Sequence, residues 1–253
     1  LRAAFDICND NFSELYGGTT AALGFKAEGT NFTGSLLVGH STTGTISSAT
    51  YNTALGIGAL DAITQGDHNV AIGYNAATTL TTGIGNVVIG RQAGDALTTG
   101  GYNIAIGQDA LSAEDTGGTS IAIGYYALNV QNNDSNNYNV AIGHSAGAAI
   151  STGIQNTLIG GLAGDALTTG NYNVAVGYDA LSAEDGHGTN TAIGTWTLAQ
   201  QNAGADAFNT ALGYRAGYAV STGVQNTLLG AKAGDALTTG GNNTVMGYLA
   251  LSA

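Results

Sequence analysis

The sequence predicts an all-β repeat fold, a parallel β-roll of the solenoid type with rungs of about 17 residues. Residues 69–73 read Asn-Val-Ala-Ile-Gly, and near-copies of this segment return along almost the whole chain. Self-similarity at a fixed short period is the signature of a stacked array. The 253 residues also include 41 glycines and no proline. The absence of proline fits a continuous strand ladder, because proline cannot donate a ladder hydrogen bond.

Each rung carries a glycine that follows the previous one by 17 residues, or by 19 residues in two places. These glycines are Gly39, Gly56, Gly73, Gly90, Gly107, Gly124, Gly143, Gly160, Gly177, Gly194, Gly213, Gly230 and Gly247. The two longer intervals, 124–143 and 194–213, lie 70 residues apart and define a 70-residue superrepeat. Parallel strands stack about 4.8 Å apart, so thirteen rungs predict a rod on the order of 60 Å tall. The glycines indicate positive φ or a close approach of two backbones.

The N-terminal residues 1–16 differ from the repeats. Their apolar side chains alternate steps of four and three, which is typical of a coiled-coil seam, and this predicts a short oligomerising helix. The seam residues are Leu1, Phe5, Cys8, Phe12 and Leu15. Residues 17–34 are interpreted as an adaptor, and residues 35–253 as the β-roll domain.

Alternation within each rung predicts which side chains share a face of the strand. Val70 and Ile72 point to one face, which we expect to be the interior of the coil, and Ala71 points to the other. A second strand is expected in the half-turn after the glycine. Because such a coil buries little apolar surface, we expect several copies to wrap a common axis and bury their alanine faces against each other. These interface alanines are Ala54, Ala71, Ala105, Ala122, Ala141, Ala175, Ala192 and Ala211.

An asparagine stands four residues before the rung glycine in almost every rung, with Ser120 as one substitute. The set is Asn52, Asn69, Asn86, Asn103, Asn139, Asn156, Asn173, Asn190, Asn209, Asn226 and Asn243. An asparagine at a repeated turn can bond neighbouring backbone groups or form an amide ladder along a stack. We therefore predict a structural role for this column.

Composition and motifs argue against several kinds of function. Five basic residues face 17 acidic ones, for a formal net charge of −12, which disfavours binding to a phosphate backbone. The sequence contains no apolar run of 18 residues, so we predict no membrane-spanning helix. His40, His68, His144 and His187 share neither a rung position nor metal-ligand spacing, and no nucleophile motif is present. We expect no enzymatic activity, no cofactor and no metal.

Three features leave alternatives open. The acidic turns at residues 114–118 and 184–188 are interpreted as solvated, with calcium binding as the alternative. Threonines at positions 78, 79, 81, 82, 98 and 99 raise an ice-binding alternative. An aromatic residue follows many rung glycines, for which we favour packing between rungs over glycan or partner binding. This row consists of Tyr74, Tyr125, Tyr178, Trp196, Tyr214 and Tyr248.

The repeat at residues 69–76 and 139–146, Asn-Val-Ala-Ile-Gly-x-x-Ala, resembles that of the head domains of trimeric autotransporter adhesins. The resemblance covers residues 35–253 and implies a left-handed roll in a homotrimer. The period here is longer than the usual one of that family, and we expect no neck, stalk or membrane-anchor segment within these 253 residues. Residues 1–16 are similar to short helical segments in tail and fibre proteins of bacterial viruses.

Together these resemblances imply a structural fibre protein, a trimeric shaft or head on a virion that serves host attachment. Its expected partners are two further copies, adjoining segments of a longer fibre or other virion proteins, and a host-surface receptor. The expected location is the virion surface or the extracellular space. The alternatives are the head of a bacterial surface adhesin and an ice-binding or calcium-binding β-solenoid.

Overall fold

A computed structural model describes residues 25–29, 32–38 and 47–252, with side chains from residue 35 onward. Strands β1, Phe25–Gly29, and β2, Phe32–Val38, form an antiparallel hairpin. Twelve strands of three residues follow: β3 Thr53–Leu55, β4 Val70–Ile72, β5 Val87–Ile89, β6 Ile104–Ile106, β7 Ile121–Ile123, β8 Val140–Ile142, β9 Thr157–Ile159, β10 Val174–Val176, β11 Thr191–Ile193, β12 Thr210–Leu212, β13 Thr227–Leu229 and β14 Thr244–Met246. All belong to one sheet, in chain order.

The strands from β2 to β14 are parallel, and each pairs in register with the strand one rung away, as Val70 does with Val87. Thirteen strands linked by twelve turns of the chain make a parallel β-solenoid. The predicted fold class and rung length are therefore confirmed. The resemblance-based homotrimer and handedness remain predictions.

The predicted second strand in each rung is wrong. After the glycine, residues 73–79 form consecutive turns, and the same pattern recurs in the later rungs. The reason is the backbone conformation: Asn75 has φ 54° and Ala77 has φ 49°, and left-handed residues at alternate positions cannot belong to an extended strand. Each coil thus has one sheet side, and the rest of its wall consists of turns.

The prediction of the interior face is also wrong. Ala71, at the centre of its strand, is completely buried within the single chain, whereas Val70 and Ile72 lie on the outer surface. The same inversion holds for the alanines that were expected between chains, since each is buried inside its own coil. These are Ala54, Ala71, Ala105, Ala122, Ala141, Ala175, Ala192 and Ala211. They are therefore core residues and leave no surface for a neighbouring chain.

Leucines from the turn side explain this inversion. Seven residues after the rung glycine, most rungs place a large apolar side chain in the interior. This column contains Ile63, Leu80, Leu97, Ile150, Leu167 and Val220, all fully buried. Because these side chains share the narrow interior with the strand centres, most strand centres are alanine. Where the centre is Val88, Leu158 or Leu228, the residue four after the rung glycine is Gly94, Gly164 or Gly234, and a Cβ there would meet that large side chain.

The N-terminal helix predicted for residues 1–16, with its seam Leu1, Phe5, Cys8, Phe12 and Leu15, lies outside the described residues. Strand β1 and the start of β2 fall within the segment interpreted as an adaptor, residues 17–34. Within the described part of the chain, no helix is long and apolar enough to cross a membrane.

Candidate functional site

The asparagine column forms a continuous hydrogen-bonded ladder in the interior. The backbone N–H of Asn69 donates to Oδ1 of Asn52 at 2.9 Å, and the Nδ2 of Asn69 donates to the Gly83 carbonyl at 2.9 Å. The same backbone bond is made by Asn86, Asn103, Asn156, Asn173, Asn190, Asn209, Asn226 and Asn243 with the asparagine one rung earlier. Each amide therefore satisfies buried backbone groups that the short strands leave unpaired.

The ladder is interrupted once, at Ser120. The Ser120 backbone N–H makes the usual bond, donating to Asn103 Oδ1 at 2.9 Å. The serine side chain, however, is shorter than that of asparagine. Gln131 takes over, donating to the Ser120 hydroxyl at 3.0 Å and accepting from Asn139 Nδ2 at 2.8 Å. The glutamine thus carries the side-chain network across the break.

The rung glycines meet each other directly along the rod. Gly143 has φ +141°, and a Cβ atom built on it would lie 2.4 Å from the carbonyl oxygen of Gly160. Gly56, Gly73, Gly90, Gly107, Gly124, Gly160, Gly177, Gly194, Gly213 and Gly230 repeat the arrangement. Only glycine permits both this φ and this contact.

The outer face of the sheet is a candidate interaction surface. At its third position each strand from β3 to β14 presents Leu55, Ile72, Ile89, Ile106, Ile123, Ile142, Ile159, Val176, Ile193, Leu212, Leu229 or Met246. The first position is Val or Ile in six strands and Thr in the other six. No charged residue interrupts the two columns. In-register pairing stacks the two columns side by side, one apolar in every rung and the other apolar in half of the rungs, and we call this surface the apolar strip.

Aromatic side chains occur on either side of the strip in chain order. On the glycine side, Trp196 contacts Tyr178 and Tyr214 edge to face, with ring centroids 6.3 and 5.8 Å apart. The predicted packing between rungs is therefore present, although Tyr178 and Tyr214 stay about half exposed. A second row, missed in the sequence, directly precedes the asparagines: Tyr51, Tyr102, Tyr138, Tyr172 and Phe208. The recurrence of aromatics at that one position was the available signal.

Threonines on the turn side bond along the stack. The hydroxyl of Thr81 donates to the Thr98 carbonyl at 3.0 Å, and the hydroxyl of Thr98 donates to the Asp115 carbonyl at 3.1 Å. Thr79 donates to the Asp95 carbonyl at 2.6 Å. These hydroxyls are therefore used within the rod, which argues against this threonine group as an ice-binding surface.

The acidic turns are not simply solvated, because their glutamates are buried. Glu114 occupies the interior column that holds leucine in other rungs, and its side chain is completely enclosed. It accepts hydrogen bonds from the Gly117 N–H at 2.8 Å and from Gln131 Nε2 and Asn137 Nδ2, both at 2.9 Å. Burial raises the pKa of the Glu114 carboxyl, and these hydrogen bonds oppose the rise only in part.

This raised pKa predicts that the rod is more stable at mildly acidic pH than at neutral pH. The folded state holds the Glu114 proton more tightly than the unfolded chain does, so the stabilisation is fully present below the unfolded value near 4.5. It is lost as pH rises through the folded value. Burial also raises the pKa of Asp95 and of Asp165, which adds to the effect. Unfolding by denaturant at pH 4.5 to 7.5 measures it.

Glu114→Gln should reduce this pH dependence, whereas Asp134→Asn, which changes an exposed carboxylate of the neighbouring loop, should leave it intact. Equal stability of the unmodified chain across this pH range would contradict the prediction.

Among the described residues, His68, His144 and His187 do not come together, and His40 lies outside the described part of the chain. His68 stacks on Tyr51 and His144 on Tyr125, with centroids 4.9 and 5.3 Å apart, while His187 lies beside Glu184. No protein-family model, curated protein or solved structure matches the chain. Among the described surfaces, the apolar strip on the outer sheet face is the feature that points most directly to a partner.

Proposed function

We propose that the chain is a structural protein, a segment of a virion fibre in which three copies pack their outer sheet faces together around a common axis. The apolar strip is the observation that carries this proposal. It is about 60 Å long, with one apolar side chain in every rung and a second in half of the rungs, and it covers on the order of several hundred Å² from strand spacing and side-chain size. Monomeric proteins rarely expose contiguous apolar patches beyond a few hundred Å².

A further copy of the same chain is the partner that best fits this strip. The two columns repeat with the rise of one strand, about 4.8 Å, along the whole rod. A partner must present apolar side chains at the same interval to fill the grooves between rungs. Another copy does so in every rung, and closed symmetry repeats the contact without leaving an open face.

The number three and the fibre role come from the resemblance to trimeric adhesin heads and phage fibres, with one change. The chains meet through the Val and Ile columns, because the alanines are occupied inside each coil. Such a rod belongs on the virion surface or outside the cell, as a shaft or head that supports host attachment. The head of a bacterial surface adhesin is the alternative placement of the same trimer.

Substituting Ile142 by lysine tests the interface. The side chain lies on the outer face, about one-third exposed, so the coil itself should tolerate the change. A trimer would bring three lysines to one level of its axis, where desolvation and repulsion oppose assembly. We expect the unmodified chain to sediment with the mass of three chains and Ile142→Lys to shift toward the monomer.

Val130→Lys is the matched control, since Val130 is a similarly exposed aliphatic residue on the turn side of the coil. It should leave the sedimented mass unchanged. Monomeric behaviour of the unmodified chain at micromolar concentration would refute the trimer.

Threonines at the first outer position favour a second candidate, an ice-binding surface. Thr157, Thr191, Thr210, Thr227 and Thr244 form a nearly continuous outward column in the C-terminal half. A flat, regular, threonine-bearing face is suited to ordered water. Thermal hysteresis of freezing discriminates the two functions, because a trimer that buries this face shows none.

A further inference from the structure

The turn at residues 184–188 brings three potential metal ligands together. Glu184 Oε1 lies 3.2 Å from His187 Nδ1, and Asp185 Oδ1 lies 3.9 Å from the same nitrogen. The three donor atoms are all within 4.8 Å of one another. Glu184 is completely buried, His187 is partly exposed and Asp185 is more than half exposed, so the group opens from the interior toward solvent.

An independent observation concerns the second oxygen of Glu184. Oε2 is buried and has no hydrogen-bond partner, which is costly for a carboxylate. The equivalent atom one superrepeat earlier, Glu114 Oε2, accepts two amide donors, from Gln131 and Asn137. The same column position thus holds a satisfied carboxylate in one copy and a half-satisfied one in the other.

Sequence changes between the two copies account for this difference. Ala207 replaces Asn137, which removes one amide. The position of Gln131 is again glutamine, Gln201, but the Gln201 Nε2 donates to the Ser221 carbonyl at 3.2 Å instead of to the glutamate. His187 stands where the first copy has Gly117, and its imidazole adds a nitrogen ligand beside the carboxylate. The second copy has therefore lost amide donors and gained a metal-binding side chain.

We propose that Glu184, Asp185 and His187 bind a divalent first-row transition metal such as Zn²⁺. One imidazole nitrogen with two carboxylates suits zinc and its neighbours, whereas calcium and magnesium prefer oxygen ligands alone. A cation supplies the partner that the buried carboxylate lacks, and bidentate binding by Glu184 would engage Oε2 as well. Water completes the coordination on the exposed side.

The measured distances need only a local adjustment. Ligands at 2.0–2.2 Å around a tetrahedral zinc lie roughly 3.4 Å apart. The Glu184–His187 separation already matches, and the His187–Asp185 separation is about half an ångström longer. Asp185 is the exposed ligand, so rotation of its side chain can close the remaining gap without moving the coil.

Calorimetric titration of the full chain with Zn²⁺, after chelator treatment, tests the proposal, with Co²⁺ absorption as an independent reading of the ligand set. We expect one ion per chain. His187→Ala should weaken binding more than the roughly 10-fold to 100-fold typical of losing an outer-sphere partner, and Asp185→Asn should weaken it too. The control is Asp115→Asn in the first copy, which carries the equivalent carboxylate without an imidazole.

Two results would overturn the proposal. One is the absence of Zn²⁺ binding by the unmodified chain at millimolar metal. The other is binding that His187→Ala leaves unchanged, because the ion would then sit on another histidine. Circular dichroism of each variant tests whether the coil is intact. We expect it to be, because Asp185 and His187 lie near the surface and their replacement leaves the leucine column untouched.

Discussion

Gly160→Ala should unfold the middle of the rod. Gly160 has φ +135°, and a Cβ atom there would lie 2.4 Å from the carbonyl oxygen and 2.6 Å from the carbonyl carbon of Gly177. Both are backbone atoms of the next rung, so no flexible side chain can move aside. Backbone strain of this kind alone costs about 1–3 kcal/mol, and separating the two rungs adds to it. We expect a loss of more than about 3 kcal/mol in the free energy of unfolding, measured with denaturant.

Gly204→Ala is the control for this experiment. Gly204 also has a positive φ, +69°, but no atom lies within 4 Å of the position of its Cβ. The substitution should cost only the left-handed conformation, about 1–2 kcal/mol. If Gly160→Ala and Gly204→Ala lower the free energy of unfolding equally, the close contact between rung glycines does not contribute to the stability of the rod.

Asn156→Ala should cause the second large loss. Asn156 Oδ1 accepts the Asn173 N–H at 2.9 Å, and its Nδ2 donates to the Gly170 carbonyl at 2.9 Å and to Asn139 Oδ1 at 3.2 Å. The variant removes the side-chain partner of the buried Asn173 N–H and Gly170 carbonyl, at about 1–3 kcal/mol each, while Asn139 Oδ1 still accepts the backbone N–H of residue 156. We expect a loss on the order of 3–5 kcal/mol in the same denaturant assay.

Asn202→Ala, in the exposed part of a long loop, is the matched control. A surface substitution of this kind should stay within about 0.5 kcal/mol of the unmodified chain. A small effect at Asn156, similar to that at Asn202, would show that the amide ladder adds little to stability.

The repeat period, the strand position and the asparagine and glycine columns could be predicted from the sequence, because each follows from a strict spacing. The interior face could not. Alternation separates Ala71 from Val70 and Ile72 but does not say which side is inside, since all three are apolar. Leu80 and its equivalents on the turn side settle the question, because they are buried in the interior that the strand centres face.

The burial of the two glutamates could not be predicted for a related reason. Glu114 and Glu184 sit in an acidic segment, and carboxylates are usually exposed. Aligning them with Leu97 and Leu167, one rung earlier in each case, places them in the leucine column and was the signal available. The prediction of a second strand failed because the half-turn after the rung glycine contains positive-φ residues. No hydrophobic period in the sequence reveals such residues.

The two 19-residue rungs have a consequence for assembly. A rod of identical rungs could slide against its neighbours by one step and still match apolar side chains, so the stagger between copies would be degenerate. The extra residues in the rungs ending at Gly143 and Gly213 break this translational equivalence. In the proposed trimer, a shift of one copy against another by one to three rungs would place a 19-residue rung beside a 17-residue rung. Slippage between copies of the proposed trimer would thereby be disfavoured, and the copies would end flush with each other.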